Sequence, residues 1–151
     1  MGAMTIVASA QGYTQQRLVN FESGAAPADE LIAMGDTFYA KLQAAEALKY
    51  YLPAEKLEPS NARLLEHISR EYRHLMIDAT SAQEKLSLGS TAVNYARRAV
   101  AINPNDPEAQ LAVAISYGEL EPLQTNRQNF EAVRIIKDAV DKAIKLDPRN
   151  D

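Results

Sequence analysis

The sequence predicts an all-α fold, an α-α superhelix of three stacked helical hairpins whose second and third members are lengthened. Three observations predict it. The string Ala-x-x-aliphatic-x-Pro occurs at Ala54–Pro59, Ala99–Pro104 and Ala143–Pro148. Helix-start signals stand ahead of apolar runs of helical period, and no segment alternates apolar with polar residues as a half-buried strand would.

Composition sets the outer bounds. With 46% hydrophobic and 24% charged residues in 151, the chain has the make-up of one globular domain able to bury roughly 70% of its unfolded surface. No run approaches the ~18 apolar residues of a membrane span, which excludes an integral span in this sequence. The absence of cysteine excludes disulfides, thiolate zinc sites and a cysteine nucleophile. Sixteen basic against twenty acidic residues, net −4, disfavour a nucleic-acid partner, because neutralising phosphates takes a basic excess.

Residues 1–27 read as a flexible N-terminal segment. Met1-Gly2-Ala3-Met4 has the look of a cloning remnant, and Ala8-Ser9-Ala10 has the small-x-small form of a signal-peptidase site. The basic n-region is missing and Thr5-Ile6-Val7 is too short an apolar run, so the cytoplasm is the favoured compartment. A secreted or periplasmic start remains the alternative if Ala8-Ser9-Ala10 ends a trimmed signal. Leu18 and Phe21 give Tyr13–Phe21 the face of a short helix before the breakers Gly24 and Pro27.

From Ala28 the chain repeats, in units 28–61, 62–106 and 107–150. In the first, Leu31, Met34-Gly35, Phe38, Ala47, Tyr51 and Pro59 reproduce the tetratricopeptide spacing within 34 residues. The second places Leu65, Ile68-Ser69, Tyr72, Ala92, Ala96, Ala99 and Pro104 at those positions. The third places Gln110, Val113-Ala114, Tyr117, Ile136, Val140, Ala143 and Pro148. Small residues suit a close helix crossing, aromatics fill the gap beside it, and Pro stops the second helix.

Each helix follows from local signals. The first runs over about 29–42. Pro53 lies within the second, which it should kink or delay. The third spans 61–78 with Ser60 as its cap, and the fifth spans 107–119 with Asp106 as N-cap and Pro107 at N1. Ser81-Ala82-Gln83-Glu84 and Thr125-Asn126-Arg127-Gln128 are capping boxes that start long helices over 82–102 and 126–146. The former carries Leu86, Gly89, Val93, Ala96 and Val100 on one face, the latter Val133, Ile136, Val140 and Ala143.

With its lengthened second and third hairpins, the chain resembles the regulator of microtubule dynamics family. The resemblance rests on Asn61–Leu65 through Arg70-Glu71-Tyr72, on Tyr95–Val100 and on Ile136–Ile144, and covers 28–150. It implies a non-enzymatic helical scaffold, with a microtubule role in some members. The repeat class implies a concave surface lined by the first helix of each hairpin. Its familiar carboxylate clamp is missing, because Ile32, Asp36, His67, Glu108 and Ala112 hold the expected Lys and Asn positions.

The concave face offers a basic stripe instead. Arg63, His67, Arg70 and His74 recur at i, i+4, i+7 and i+11, with Arg73 alongside. Guanidinium groups grip carboxylates bidentately, so an acidic peptide or an anionic head group fits. Asp36 and Glu108 flank the stripe with opposite charge, and Tyr39 joins them as a candidate partner-binding residue. The plain alternative is a solvated helix face on which Glu66 and Glu71 pair neighbouring arginines. Two histidines titrating near neutrality would make binding pH-sensitive.

Other chemistries find no support. His67, Glu71 and His74 have metal-ligand spacing without a fourth ligand, so no metal or other cofactor is expected. There is no phosphate loop and no Gly-x-Ser-x-Gly elbow, and pairs such as Glu119 with Glu121 or Asp138 with Asp141 read as solvated surface. The expected function is non-catalytic binding of a partner peptide or helix in the groove. The alternative is self-assembly. The chain stops three residues after Pro148, so either a longer protein has been cut or helix 126–146 is covered by residues 1–27 or a second copy, as a weak homodimer.

Overall fold

A computed structural model describes residues 27–149. The expected helix at 13–21 and the small-x-small site lie outside them. Among the described residues there are six α-helices and no strand: α1 (Ala28–Tyr39), α2 (Ala44–Leu57), α3 (Ala62–Asp78), α4 (Ala82–Ile102), α5 (Pro107–Leu120) and α6 (Asn126–Leu146), with a 3-10 turn at Glu121–Leu123. Each helix packs on the next, and α3 also packs on α5. The result is an α-α superhelix of three hairpins, with first helices α1, α3 and α5 and second helices α2, α4 and α6.

Local capping sets the boundaries. Ser81 Oγ accepts from the Glu84 amide at 3.1 Å and Asp106 Oδ1 from the Glu108 amide at 3.0 Å, so α4 and α5 start where their caps predict. At α6 the Thr125 amide donates to Gln128 Oε1 at 3.1 Å, the backward half of a capping box. The start of α3 corrects the expectation of a Ser60 cap. The Asn61 amide closes a turn onto the Glu58 carbonyl at 3.1 Å, which leaves Asn61 extended and its side chain accepting from the Leu64 amide at 3.1 Å.

The first hairpin differs twice from the sequence reading. Helix α1 ends at Tyr39, three residues early. The Leu42 and Gln43 amides turn back to the Tyr39 and Phe38 carbonyls, and Leu42 takes the left-handed φ of 57°, the Schellman termination that glycine ordinarily supplies. Pro53 does not delay α2, which begins at Ala44 and runs through it to Leu57.

Packing explains the small residues. A Cβ at Gly35 would lie 2.3 Å from Tyr51 Cε1, and one at Gly89 would lie 2.6 Å from Met76 Sδ, so both glycines allow close helix crossings. Ser69, where the repeat has glycine, is fully buried and donates to the Ala92 carbonyl at 2.8 Å. Leu31, Tyr51, Leu64 and Ile68 centre the first core, Leu65, Ala99 and Ala109 link the second hairpin to the third, and Ala96, Val113 and Ala139 bring α4, α5 and α6 together.

Two face assignments are corrected. Val133 is 56% exposed and Leu86 41% exposed. Alanines at 132, 139 and 143 form the buried side of α6, with Ile135, Ile136 and Val140 packed beside them. With the alanines on the buried side of α6, Val133 falls on the outward side with Phe130 and Ile144.

Candidate functional site

Helix α3 stands between α1 and α5, and its side chains divide between them. Arg63, Glu66, His67, Arg70 and Arg73 line a groove of about 500 Å³ whose far wall is Asp106, Glu108, Leu111, Ala112 and Ile115. Arg63, Arg70 and Arg73 thereby share one lining with Glu108. His74 is not part of the lining; its Nδ1 lies 3.5 Å from Glu71 Oε2.

Helix α1 holds the stripe from the other side. The Arg70 guanidinium carbon lies 3.7 Å from the centre of the Tyr39 ring, a cation-π contact that fixes the cation over α1. Asp36 accepts a 2.6 Å hydrogen bond from the Tyr51 hydroxyl, and its Oδ1 is 3.3 Å from His67 Nδ1. Asp36 thus serves the hairpin core and His67 rather than shaping the α5 groove. Burial and the Asp36 carboxylate push the Tyr51 hydroxyl up, so it stays the donor.

Two acids missing from the expected site residues organise it. Glu71 is fully buried, with Arg70 Nε 3.3 Å from its Oε1, so the expected pairing with a neighbouring arginine occurs in the interior instead of on a solvated face. Glu66 faces the groove. Burial, followed by Asp106 and Glu108, pushes its carboxyl up to about 7 against the pull of Arg63 and Arg70. Its position at i+3 from Arg63 and i−4 from Arg70 was the sequence signal that could have placed it on this face.

His67 corrects the expectation of a titration near neutrality. Burial, reinforced by Arg70, holds its imidazole below the ordinary value despite Asp36, so it is neutral at pH 7. Arg73 is 9% exposed and its nearest acid, Glu119, is 4.0 Å away. Burial lowers its affinity for its proton, yet guanidinium remains charged at neutral pH. Among the described residues no group of three or more His, Cys, Asp or Glu side chains could hold a metal, and no helix is long and apolar enough to cross a membrane.

This arrangement can present fixed guanidinium donors beside an apolar wall. The family described as Regulator of microtubule dynamics protein 1-3 matches residues 31–151. The chain is also 28% identical over 142 residues to Regulator of microtubule dynamics protein 1 of Bos taurus, an alignment covering 93% of this chain and 44% of that protein. It therefore spans less than half the length of this curated relative. With a family match that runs from the first turn of α1 past the end of α6, the chain belongs to the regulator of microtubule dynamics family.

Proposed function

We propose that this chain is a non-catalytic, tetratricopeptide-like interaction module that seats a partner peptide or helix in the groove lined by α3 and α5 and backed by α1. The family points to protein interaction. The observation that carries the groove reading is the Arg70 guanidinium, stacked on Tyr39 and open to a cleft that Arg63 and Arg73 also line. A cation held in place loses little freedom when it grips a carboxylate, which is the condition for a useful binding contact. The word microtubule in the bovine relative's name is a pointer to that whole protein's biology and supplies no contact here.

Arg70→Gln, which removes the stacked cation, and Ile115→Glu, on an exposed residue of the lining, test the reading. Peptides selected from a random display library on the wild-type protein should lose at least tenfold in affinity for both variants, about 1.4 kcal/mol. Peptides that bind all three proteins equally would place the binding surface elsewhere.

Self-assembly stands as the second reading, and α6 supports it. Phe130 and Val133 are 82% and 56% exposed, an outward apolar pair on one helix, and Ile144, 53% exposed, stands further along it beyond the Lys137–Asp141 ion pair. Concentration-dependent light scattering that is abolished by Phe130→Glu and unchanged by Arg63→Glu would favour assembly through α6.

A further inference from the structure

The groove between α3 and α5 has two electrically distinct ends. Where both helices begin, Glu66, Asp106 and Glu108 converge, with Arg63 among them. About one to two turns further along α3 from Glu66, Arg70 and Arg73 line the cleft. The acids near those arginines stand to the side: Glu71 is buried behind Arg70, and Glu119 reaches Arg73 only at 4.0 Å. Leu111, Ala112 and Ile115 make an apolar wall between the two ends.

Polar atoms without partners mark both ends. Glu66 Oε1 is buried with no hydrogen-bond partner at one, and Arg70 Nη2 and Arg73 Nε are in the same condition at the other. Buried polar groups are nearly always partnered, so each such atom calls for a ligand or a water. Arg73 is the strongest case, because nine-tenths of the residue is buried and the guanidinium still lines the cleft. An acceptor at one end and donors at the other ask for a ligand with the reverse order. At 1.5 Å per residue, the seven residues from Glu66 to Arg73 separate the ends by about 10 Å.

Building on the groove reading above, we infer that the occupant is a dipolar segment of a partner protein, with one basic and one acidic side chain about 10 Å apart on either side of an aliphatic one. The basic group meets Glu66 and its acidic neighbours, the acidic group meets Arg70 and Arg73, and the aliphatic group packs on Leu111 and Ile115. Residues i and i+7 of a helix have that separation on one face, and so do residues i and i+3 of a polyproline II segment at about 3.1 Å per residue. A uniformly acidic peptide would set a carboxylate against Glu66, Asp106 and Glu108, and like charges at an interface cost several kcal/mol.

The test uses random dodecapeptides displayed on phage, selected on the 151-residue chain and depleted on Ile115→Glu protein. The surviving peptides should carry a basic and an acidic residue at i, i+7 or at i, i+3. In titrations with a synthesised survivor, replacing its basic residue by Ala and making Glu66→Gln should each weaken binding about tenfold, and together no more than either alone. The acidic residue and Arg70→Gln should show the same coupling. Circular dichroism confirms that the variants fold, and Glu66→Ala provides a second neutral replacement.

Each outcome decides. Survivors that are acidic throughout, or apolar, and that show no coupling to Glu66 would overturn the dipolar inference and leave groove binding standing. An absence of peptides depleted by Ile115→Glu would overturn both. Below pH 7 a dipolar survivor should bind more weakly, because Glu66 takes up a proton beside Asp106, Glu108, Arg63 and Arg70, whereas with Glu66→Gln only the dependence contributed by His67, which lines the same groove, should remain.

Discussion

The Arg70 guanidinium of α3 lies over the Tyr39 ring of α1 at 3.7 Å from its centre, so a side chain that lines the groove is held by a different hairpin from its own. Its Nε faces the buried Glu71 carboxylate at 3.3 Å. A platform on one side and an acid on another leave the fork little freedom.

Removing the platform should loosen that fork. Tyr39→Ala is expected to weaken groove ligands by about 0.5–1 kcal/mol, with up to about 2 kcal/mol if the contact is largely desolvated. Tyr39→Phe keeps the ring face and should bind nearly as wild type. Isothermal titration with a selected peptide measures both, and equal losses in the two variants would show that the hydroxyl, not the ring face, matters.

The glycines of α1 and α5 should respond oppositely to alanine. A Cβ at Gly35 meets the Tyr51 ring at 2.3 Å, and that ring is tied down by its hydroxyl on Asp36. Gly35→Ala should therefore destabilise by about 1–3 kcal/mol as overpacking, even after a helix-propensity gain of up to about 1 kcal/mol. Nothing lies within 4 Å of the equivalent atom at Gly118. Gly118→Ala should stabilise by up to about 1 kcal/mol, and urea unfolding midpoints compare the two.

Leu42 occupies the left-handed position after α1 and is 80% exposed. A branched side chain gains little there and strains the backbone. Leu42→Gly should raise stability by roughly 0.5–1 kcal/mol, seen as a rise of a few degrees in Tm. A fall instead would mean that Leu42 makes a contact worth more than the strain.

Glu66 should impress its own pH dependence on stability. Its carboxyl is raised from 4.5 to about 7 in the folded state, so the folded chain binds the extra proton. The stability this gives is present below about pH 4.5 and is lost as pH rises through 7. His67 acts with the other sign, because its lowered value gives stability present above its ordinary value of 6.5 and lost as pH falls. Comparing wild-type with Glu66→Gln protein isolates the carboxyl: between pH 5 and 8 the variant should gain stability relative to wild type. A constant difference across that range would refute this assignment.

Much of the fold was legible because its signals are local. Ser81, Thr125 and Asp106 sit one residue ahead of the helices they start, and each Ala-x-x-aliphatic-x-Pro string closes a second helix. The Ser60 and Asn61 choice turned on the four-residue turn from Glu58 to Asn61, which composition does not encode. The outward side of Val133 follows from alanines 132, 139 and 143 taking the buried side of α6, a choice of face that periodicity alone left open. At the groove, periodicity identified Arg63, Arg70 and Arg73, and the α1-facing half of the stripe could be named but not placed. Glu71 could not be distinguished from a solvated acid, because its burial comes from residues brought in from other parts of the chain. The same is true of Glu66, whose carboxyl is raised by burial first and then by Asp106 and Glu108, about forty positions away.

Helix α6 packs chiefly on α5, while α3 touches helices on three sides. In a stacked array stability is passed between nearest neighbours, so α3 is braced on three sides, whereas α6, like α1 on α2, leans chiefly on one partner. Amide hydrogens of α6 should exchange ahead of those of α3, through local opening that leaves the second hairpin closed. A protein or second copy that covers Phe130, Val133 and Ile144 would then slow exchange throughout the last hairpin, well beyond the residues it touches.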